Sequence, residues 1–290
     1  MAACAGLPLA GDSCDAALTT TFGVGELMLD AARAGCRHII MGLGGSATND
    51  GGCGCAAALG AVFTDEAGES FVPVGGTLSK LAGIDLSGIA PELRDIRITT
   101  MCDINNPLTG ENGAAYVFAP QKGAAAEALP LLDARLRRLA EVAARDLSAD
   151  CADMPGAGAA GGMGFGMRAF FGSELKMGID TVLDTVGFDE LARGSDMIFT
   201  GEGRIDRQSL GGKVVIGVAR RAAKFAVPVV AVVGDIGDDI ERAYDEGVSA
   251  IFSINRVAVP YSQAKLRARE DIYLTMDNIM RFVGTIEGRG

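Results

Sequence analysis

The run His38-Ile39-Ile40-Met41-Gly42 leads directly into Leu43-Gly44-Gly45-Ser46-Ala47-Thr48-Asn49-Asp50-Gly51-Gly52, and the small residues from Cys53 to Leu59 follow. A compact apolar run bounded by glycine reads as a buried strand of the kind found in parallel sheets, and Cys53–Leu59 reads as a helix. Strand, glycine loop and helix together gather backbone N–H groups at a helix N-terminus, where they can hold phosphate or carboxylate oxygens. Two glycines would suffice for a turn. The stretch from Gly42 to Gly52 uses five, with the hydroxyls of Ser46 and Thr48 among them and Asn49-Asp50 directly behind. No Lys-Ser/Thr pair follows, so it is not a Walker A loop, and the GxGxxG spacing of a dinucleotide fold is absent.

Glycine reaches 41 of 290 residues without a three-residue period, so the excess belongs to loops that need unusual backbone angles or close approach. Against 37 acidic residues stand 26 Lys and Arg, a formal charge of −11. No overall positive field exists to draw nucleic acid or an anionic membrane, and the expected partners are small molecules. Any anionic ligand must be held locally. Seven cysteines include no CxxC pair, and Cys53-Gly54-Cys55 reads as buried packing. Reduced thiols and the lack of a long uncharged apolar run or basic leader lead us to expect a cytoplasmic protein.

Along the chain, the residues before Asp12 read as the tail of a strand. Thr19-Thr20-Thr21 caps a predicted helix with Val24, Leu27, Met28 and Ala31 on one stripe. Residues 96–103 form a strand that stops at Asp103, with Asn105-Asn106-Pro107 as a turn. Ala114–Phe118 reads as a short strand, and Ala125–Leu147 as an amphipathic helix with Leu129, Leu132, Leu136 and Leu139 on one face. The uncharged Gly/Ala-rich stretch from Met154 to Gly166 is either a tightly packed helix start or a loop pressed against a ligand. From Phe188 onward strands and helices alternate, over 197–200, 213–225, 227–233, 238–246, 250–254 and 262–282, which predicts a parallel, Rossmann-like sheet. The expected domains are 1–187 and 188–290.

Thr200-Gly201-Glu202-Gly203-Arg204-Ile205-Asp206-Arg207-Gln208-Ser209 follows one of these strands at its carboxyl end, where open α/β sheets place their ligands. Two carboxylates, two arginines and a Gln in one loop are hard to justify as packing. Gly211-Gly212-Lys213 then opens a helix, so a lysine and first-turn N–H groups can meet a polyphosphate. Asp103 and Lys122 are single polar residues at a strand end and a turn. His38, the sole histidine, reads as structural, which argues against histidine triads and histidine-ligated metals.

The strings GLGGSATNDGG (42–52), CDINNPLTG (102–110), PQKG (120–123), PGAGAAGGMGFG (155–166), TGEGRID-Q (200–208) and GGK (211–213) resemble, in collinear order, those of bacterial glycerate kinases. That family uses ATP to phosphorylate D-glycerate. The resemblance implies a Rossmann-like domain interrupted by a larger inserted α/β domain, with substrates between them, and favours the 2-phosphate as product. The residue types also suit phosphoryl transfer, and on that physical reading we assign Gly44, Gly45, Ser46, Thr48, Asn49 and Lys213 to the phosphates, and Mg²⁺ to Asp50 and Asp103 or Glu202. Arg204, Lys122 and Asn105 would then bind substrate, with Asp206, Lys213 and Arg204 as the catalytic set. Family members open with a strand and an Asp-Ser-Phe-Lys type segment that has no counterpart here. We therefore expect a Rossmann-like sheet incomplete at its N-terminal part, weak or absent activity, and either a bare sheet edge that pairs with a second copy as a homodimer or a firmly folded larger domain beside a more mobile 188–290. The competing readings are a non-catalytic ligand-binding remnant and a different sugar-acid enzyme such as a dehydratase.

Overall fold

The computed structural model describes residues 1–11, 14–207, 209–211 and 214–288. They form two compact units, Met1–Gly178 and Ile179–Gly290. In chain order the elements of the first unit are α1 (Ala2–Ala5), α2 (Leu7–Ala10), α3 (Phe22–Arg33), β1 (His38–Gly42), α4 (Cys53–Ala58), β2 (Val62–Thr64), β3 (Ser70–Phe71), β4 (Gly83–Asp85), β5 (Arg97–Met101), α5 (Ala114–Phe118), α6 (Leu129–Leu147), α7 (Ala159–Phe171) and β6 (Glu174–Lys176). The second unit begins in α8 (Gly178–Thr185) and continues through α9 (Phe188–Arg193), β7 (Ile198–Thr200), β8 (Arg204–Ile205), α10 (Val214–Ala223), β9 (Val229–Val233), β10 (Asp235–Ile236), α11 (Arg242–Asp245), β11 (Val248–Ser253) and α12 (Tyr261–Glu287).

Each unit is built on a three-stranded parallel sheet, so the α/β class read from the sequence is the one found. In the first unit the order is β1-β5-β6, with Gly42 level with Met101 and Met101 level with Lys176. That register brings three carboxyl ends to one edge. A separate antiparallel sheet, ordered β3-β2-β4, lies in the same unit. In the second unit β11-β9-β7 is parallel, and the short pair β8 and β10 extends from the ends of β7 and β9.

The predicted leucine stripe packs as its spacing requires. Leu132, Leu136 and Leu139 of α6 are buried beside Val142 and Ala143, in a core that also takes Phe63 and Phe165. The rings of Phe63 and Phe165 meet Phe170 edge-on at 5.9 and 6.4 Å. Each buried phenyl stabilises the unit by roughly 1.5–3 kcal/mol. The sheet of the second unit is Val-rich, and Val229–Val233 is buried at every position, as a central parallel strand should be.

Three local readings are corrected. The opening residues are the short helices α1 and α2, whose backbone pins the glycine loop through Leu7 N–H to Gly45 O and Ala47 N–H to Ala5 O. Ala114–Phe118 is helix α5, because Ala114 and Ala115 are helix formers that bury against the α6 core after extended Gly113. The run 38–42 is an edge strand with exposed positions, paired on one side only among the described residues.

Candidate active site

A pocket of about 460 Å³ opens at the carboxyl ends of β1, β5 and β6. Gly42–Ser46, Met101–Ile104 and Gly178 form its strand-end walls, and Phe118, Gln121, Lys122, Ala159 and Ala160 complete it. Of the residues expected from sequence, Gly44, Gly45, Ser46, Asp103 and Lys122 line this space together. Asp103, exposed at the end of β5, accepts the Gly178 N–H on Oδ1 at 2.6 Å. Asn105 is exposed next to Ile104 and is not part of the lining.

Thr48, Asn49 and Asp50 lie fully buried under the loop. The Asp50 carboxylate accepts the Thr21 N–H at 2.7 Å, the Thr21 hydroxyl at 2.8 Å, and the Gly52 and Gly54 N–H groups at 3.2 Å. Thr21 Oγ1 in turn accepts the Cys55 N–H. Loop, α3 and α4 are thereby tied through one buried carboxylate. Burial pushes the Asp50 carboxyl upward, and these four donors oppose that rise.

Lys122 is the second buried charge, only 1% exposed. Its Nζ donates to the Thr48 carbonyl at 2.7 Å. Burial depresses its pKa from 10.5 to about 8, opposed by the Asp50 carboxylate, so the ammonium persists at neutral pH and is lost as the pH rises through about 8. Asn49 carries both side-chain amide atoms buried without a hydrogen-bond partner among the described residues. Such a group fits a site completed by a bound polar molecule.

The Gly/Ala-rich stretch resolves as the second half of this construction. Ala160, Gly161 and Gly162 adopt left-handed angles at the start of α7, and the Gly51 N–H donates to Gly161 O. A Cβ on Gly161 would stand 1.9 Å from Thr48 O, so only glycine lets α7 approach the loop. Ala160, at φ +54°, holds an unfavourable angle directly on the pocket wall.

The remaining expected residues stand on the second unit. Arg204 forms ion pairs with Asp206 at 3.7 Å and Asp235 at 3.6 Å. Glu202 and Asp206 are half-buried in the same strand-end segment. Lys213, Gln208 and Gly212 lie outside the described residues. His38, exposed on β1, shares a 2.9 Å hydrogen bond with Thr99 Oγ1.

A sequence profile of the glycerate kinase family matches residues 1–284. The chain belongs to that family. It is 44% identical to the glycerate kinase of Bacillus subtilis strain 168 over 280 residues, 96% of this chain and 73% of the relative. It is 46% identical to glycerate 2-kinase of Escherichia coli K12 over 255 residues, 88% of this chain and 67% of the relative. A crystal structure assigned as glycerate kinase 2 from Salmonella typhimurium LT2 superposes with a TM-score of 0.85 at 41% identity, covering 99% of this chain and 75% of that one. Among the described residues no helix is long and apolar enough to cross a membrane.

Two features were missed by sequence reasoning. Thr21, the residue that holds Asp50, was read only as part of a helix cap. Gly178, which orients Asp103, carried no signal beyond being a glycine near the end of a strand.

Proposed function

We propose that this chain transfers the terminal phosphoryl group of ATP to a hydroxyl of D-glycerate, giving phosphoglycerate, with the 2-phosphate as the product favoured by its E. coli relative's name. The observation that carries the reading is the buried Lys122 ammonium beneath a glycine loop, at the carboxyl ends of a parallel sheet. Among the described residues its one hydrogen-bond partner is the neutral Thr48 carbonyl, and a buried cation so held has capacity left for an anion. Glycine N–H groups and Ser46 add neutral donors, so phosphoryl and carboxylate oxygens are the matching ligands.

Magnesium fits Asp103. Among the described residues no cluster of three or more His, Cys, Asp or Glu could cage a metal. Magnesium bound with a nucleotide takes most of its ligands from phosphate and water and needs only one or two carboxylates. Asp103 offers one, exposed in the pocket and steadied by the Gly178 N–H, whereas the oxygens of Asp50 are taken up by four protein donors. When bound, the ion neutralises charge on the transferring group. Asp50 then serves by fixing the loop, and Lys122 by holding an anionic oxygen through its ammonium. On the second unit, Arg204 remains the proposed partner of a substrate's anionic oxygen and Asp206 the proposed acceptor of the hydroxyl proton. Asp206→Asn should lower kcat far more than it changes either KM.

The direct test is ³¹P NMR of a reaction with ATP, MgCl₂ and D-glycerate. A new phosphomonoester resonance that splits as a 2-phosphate supports the reading. Consumption of D-glycerate without ATP would point to the dehydratase alternative, and no consumption to a binding remnant.

A further inference from the structure

We infer that the second unit carries its own ligand pocket and that its occupant is the adenosine end of the nucleotide. The inference rests on the kinase reading above, and it names where the nucleoside is recognised. A cavity of about 690 Å³ lies among Gly203, Arg204, Gly234, Asp235, Ile254 and Asn255, with Val259 and the first turns of α12 (Tyr261, Ala264, Lys265, Ala268) as its other wall. It sits at the carboxyl ends of β7, β9 and β11, the edge of an open parallel sheet where ligands bind. Its volume falls within the roughly 300–1,000 Å³ of small-molecule sites. D-glycerate is far too small to need it.

The lining divides by chemistry as a nucleotide does. Ile254, Val259, Tyr261, Ala264 and Ala268 supply apolar and aromatic surface for a planar base. Asp235 and Asn255 end adjacent strands and offer acceptors for vicinal ribose hydroxyls. Lys265 forms no ion pair among the described residues, and with Arg204 it supplies positive charge for phosphate oxygens.

The floor is bare backbone. Gly234 N–H donates to Glu202 O, and a Cβ on Gly234 would stand 2.3 Å from Gly203 O, so glycine is required where β9 leaves the sheet. Ser253 Oγ donates to Gly234 O and accepts the Asn255 N–H, which fixes the third strand end against the second. These contacts tie the strand ends together, and because Gly203 and Gly234 carry no side chains a ligand can lie directly on peptide groups.

The test combines photolabelling with two variants of the whole chain. With 8-azido-ATP and MgCl₂, the label should fall on peptides from residues 254–268. Ala264→Phe fills the cavity from a half-buried helix position, and Tyr261→Ala removes an aromatic that is 82% exposed, so a folding defect in the first does not silence the second. Each should raise KM for ATP by about tenfold while KM for D-glycerate moves less than about twofold. Label confined to peptides from residues 42–48 or 101–104, a rise in KM for D-glycerate instead, or no change in either constant would overturn the inference and leave the kinase reading standing. Failure of the unaltered chain to phosphorylate D-glycerate would remove the kinase reading, and the site of label would still decide whether this pocket takes a nucleotide.

Discussion

The two units use one topological rule in two ways. Each places a pocket at the carboxyl ends of a three-stranded parallel sheet, yet the ground beneath the pockets differs. Under the first lie the buried polar groups Asp50 with Thr21, Lys122 with Thr48 O, and the unpartnered amide of Asn49, locked by glycines that admit no side chain. Around the second the charges stand in water, with the side chains of Arg204 and Asp235 59% and 53% exposed. Buried charges are costly, so a fold retains them only where the rest of the structure enforces them. Exposed charges cost the fold little. Substitutions in the first pocket should therefore disturb activity and stability in separable ways, and those at the exposed charges of the second should disturb activity alone.

The widest separation is expected at Lys122. Lys122→Met keeps the stem and removes the ammonium, and kcat/KM should fall by about 10³-fold if the proposed charge-assisted contact to an anionic oxygen is lost. Thermal melting should change little, because removal of a desolvated charge offsets the loss of the hydrogen bond to Thr48 O and of the attraction to Asp50. A variant that loses activity and unfolds in step would mean that Lys122 is a structural residue.

Asp50→Asn should show the opposite balance. An amide NH₂ would face N–H or O–H donors that now point at carboxylate oxygens, leaving buried groups unmatched. We expect a loss of about 2–4 kcal/mol, seen as a lower denaturant midpoint. An unchanged midpoint would show that the network does not hold the loop.

At Arg204→Ala the comparison predicts a loss in kcat/KM of about 10- to 100-fold with stability within ~0.5 kcal/mol, since its two ion pairs are long and exposed. A large drop in melting temperature would erase the contrast between the units. The smallest effect concerns pH and stability. Unfolded Lys122 keeps its proton up to its usual 10.5, and the folded residue releases it near 8. The unfolded state thus binds more protons between those values, and this group's contribution to stability should rise with pH across that window. Comparing denaturant midpoints of the unaltered chain and Lys122→Met at pH 7.5 and 9.5 isolates it.

Much of the first pocket was legible because glycine and small polar residues are cheap to read. Gly44, Gly45, Ser46, Asp103 and Lys122 were each named from loop composition, strand ends or family resemblance, and the fold brings them to one cavity. What the sequence hid was depth. A lysine in a turn is ordinarily wet, and nothing local distinguishes Lys122 from such a residue, because its burial comes from contacts with Thr48 far away in the chain. The same holds for Asp50, whose partner Thr21 lies 29 residues upstream. Ala114–Phe118 misled because a short apolar run has no period long enough to separate strand from helix. The second pocket could have been found by applying the strand-end rule to Gly234-Asp235 and Ile254-Asn255 as it was applied to the loop after β7.

The central claim is that a buried ammonium, near its titration point, organises the anion site of the first unit. The most direct measurement is kcat/KM for D-glycerate phosphorylation from pH 6 to 10, in the unaltered chain and in Lys122→Arg, whose guanidinium stays charged throughout. The account predicts a fall above a midpoint near 8 in the unaltered chain, and a lower but level profile in the variant. A level profile through pH 9.5 in the unaltered chain, or the same fall in both proteins, would contradict it.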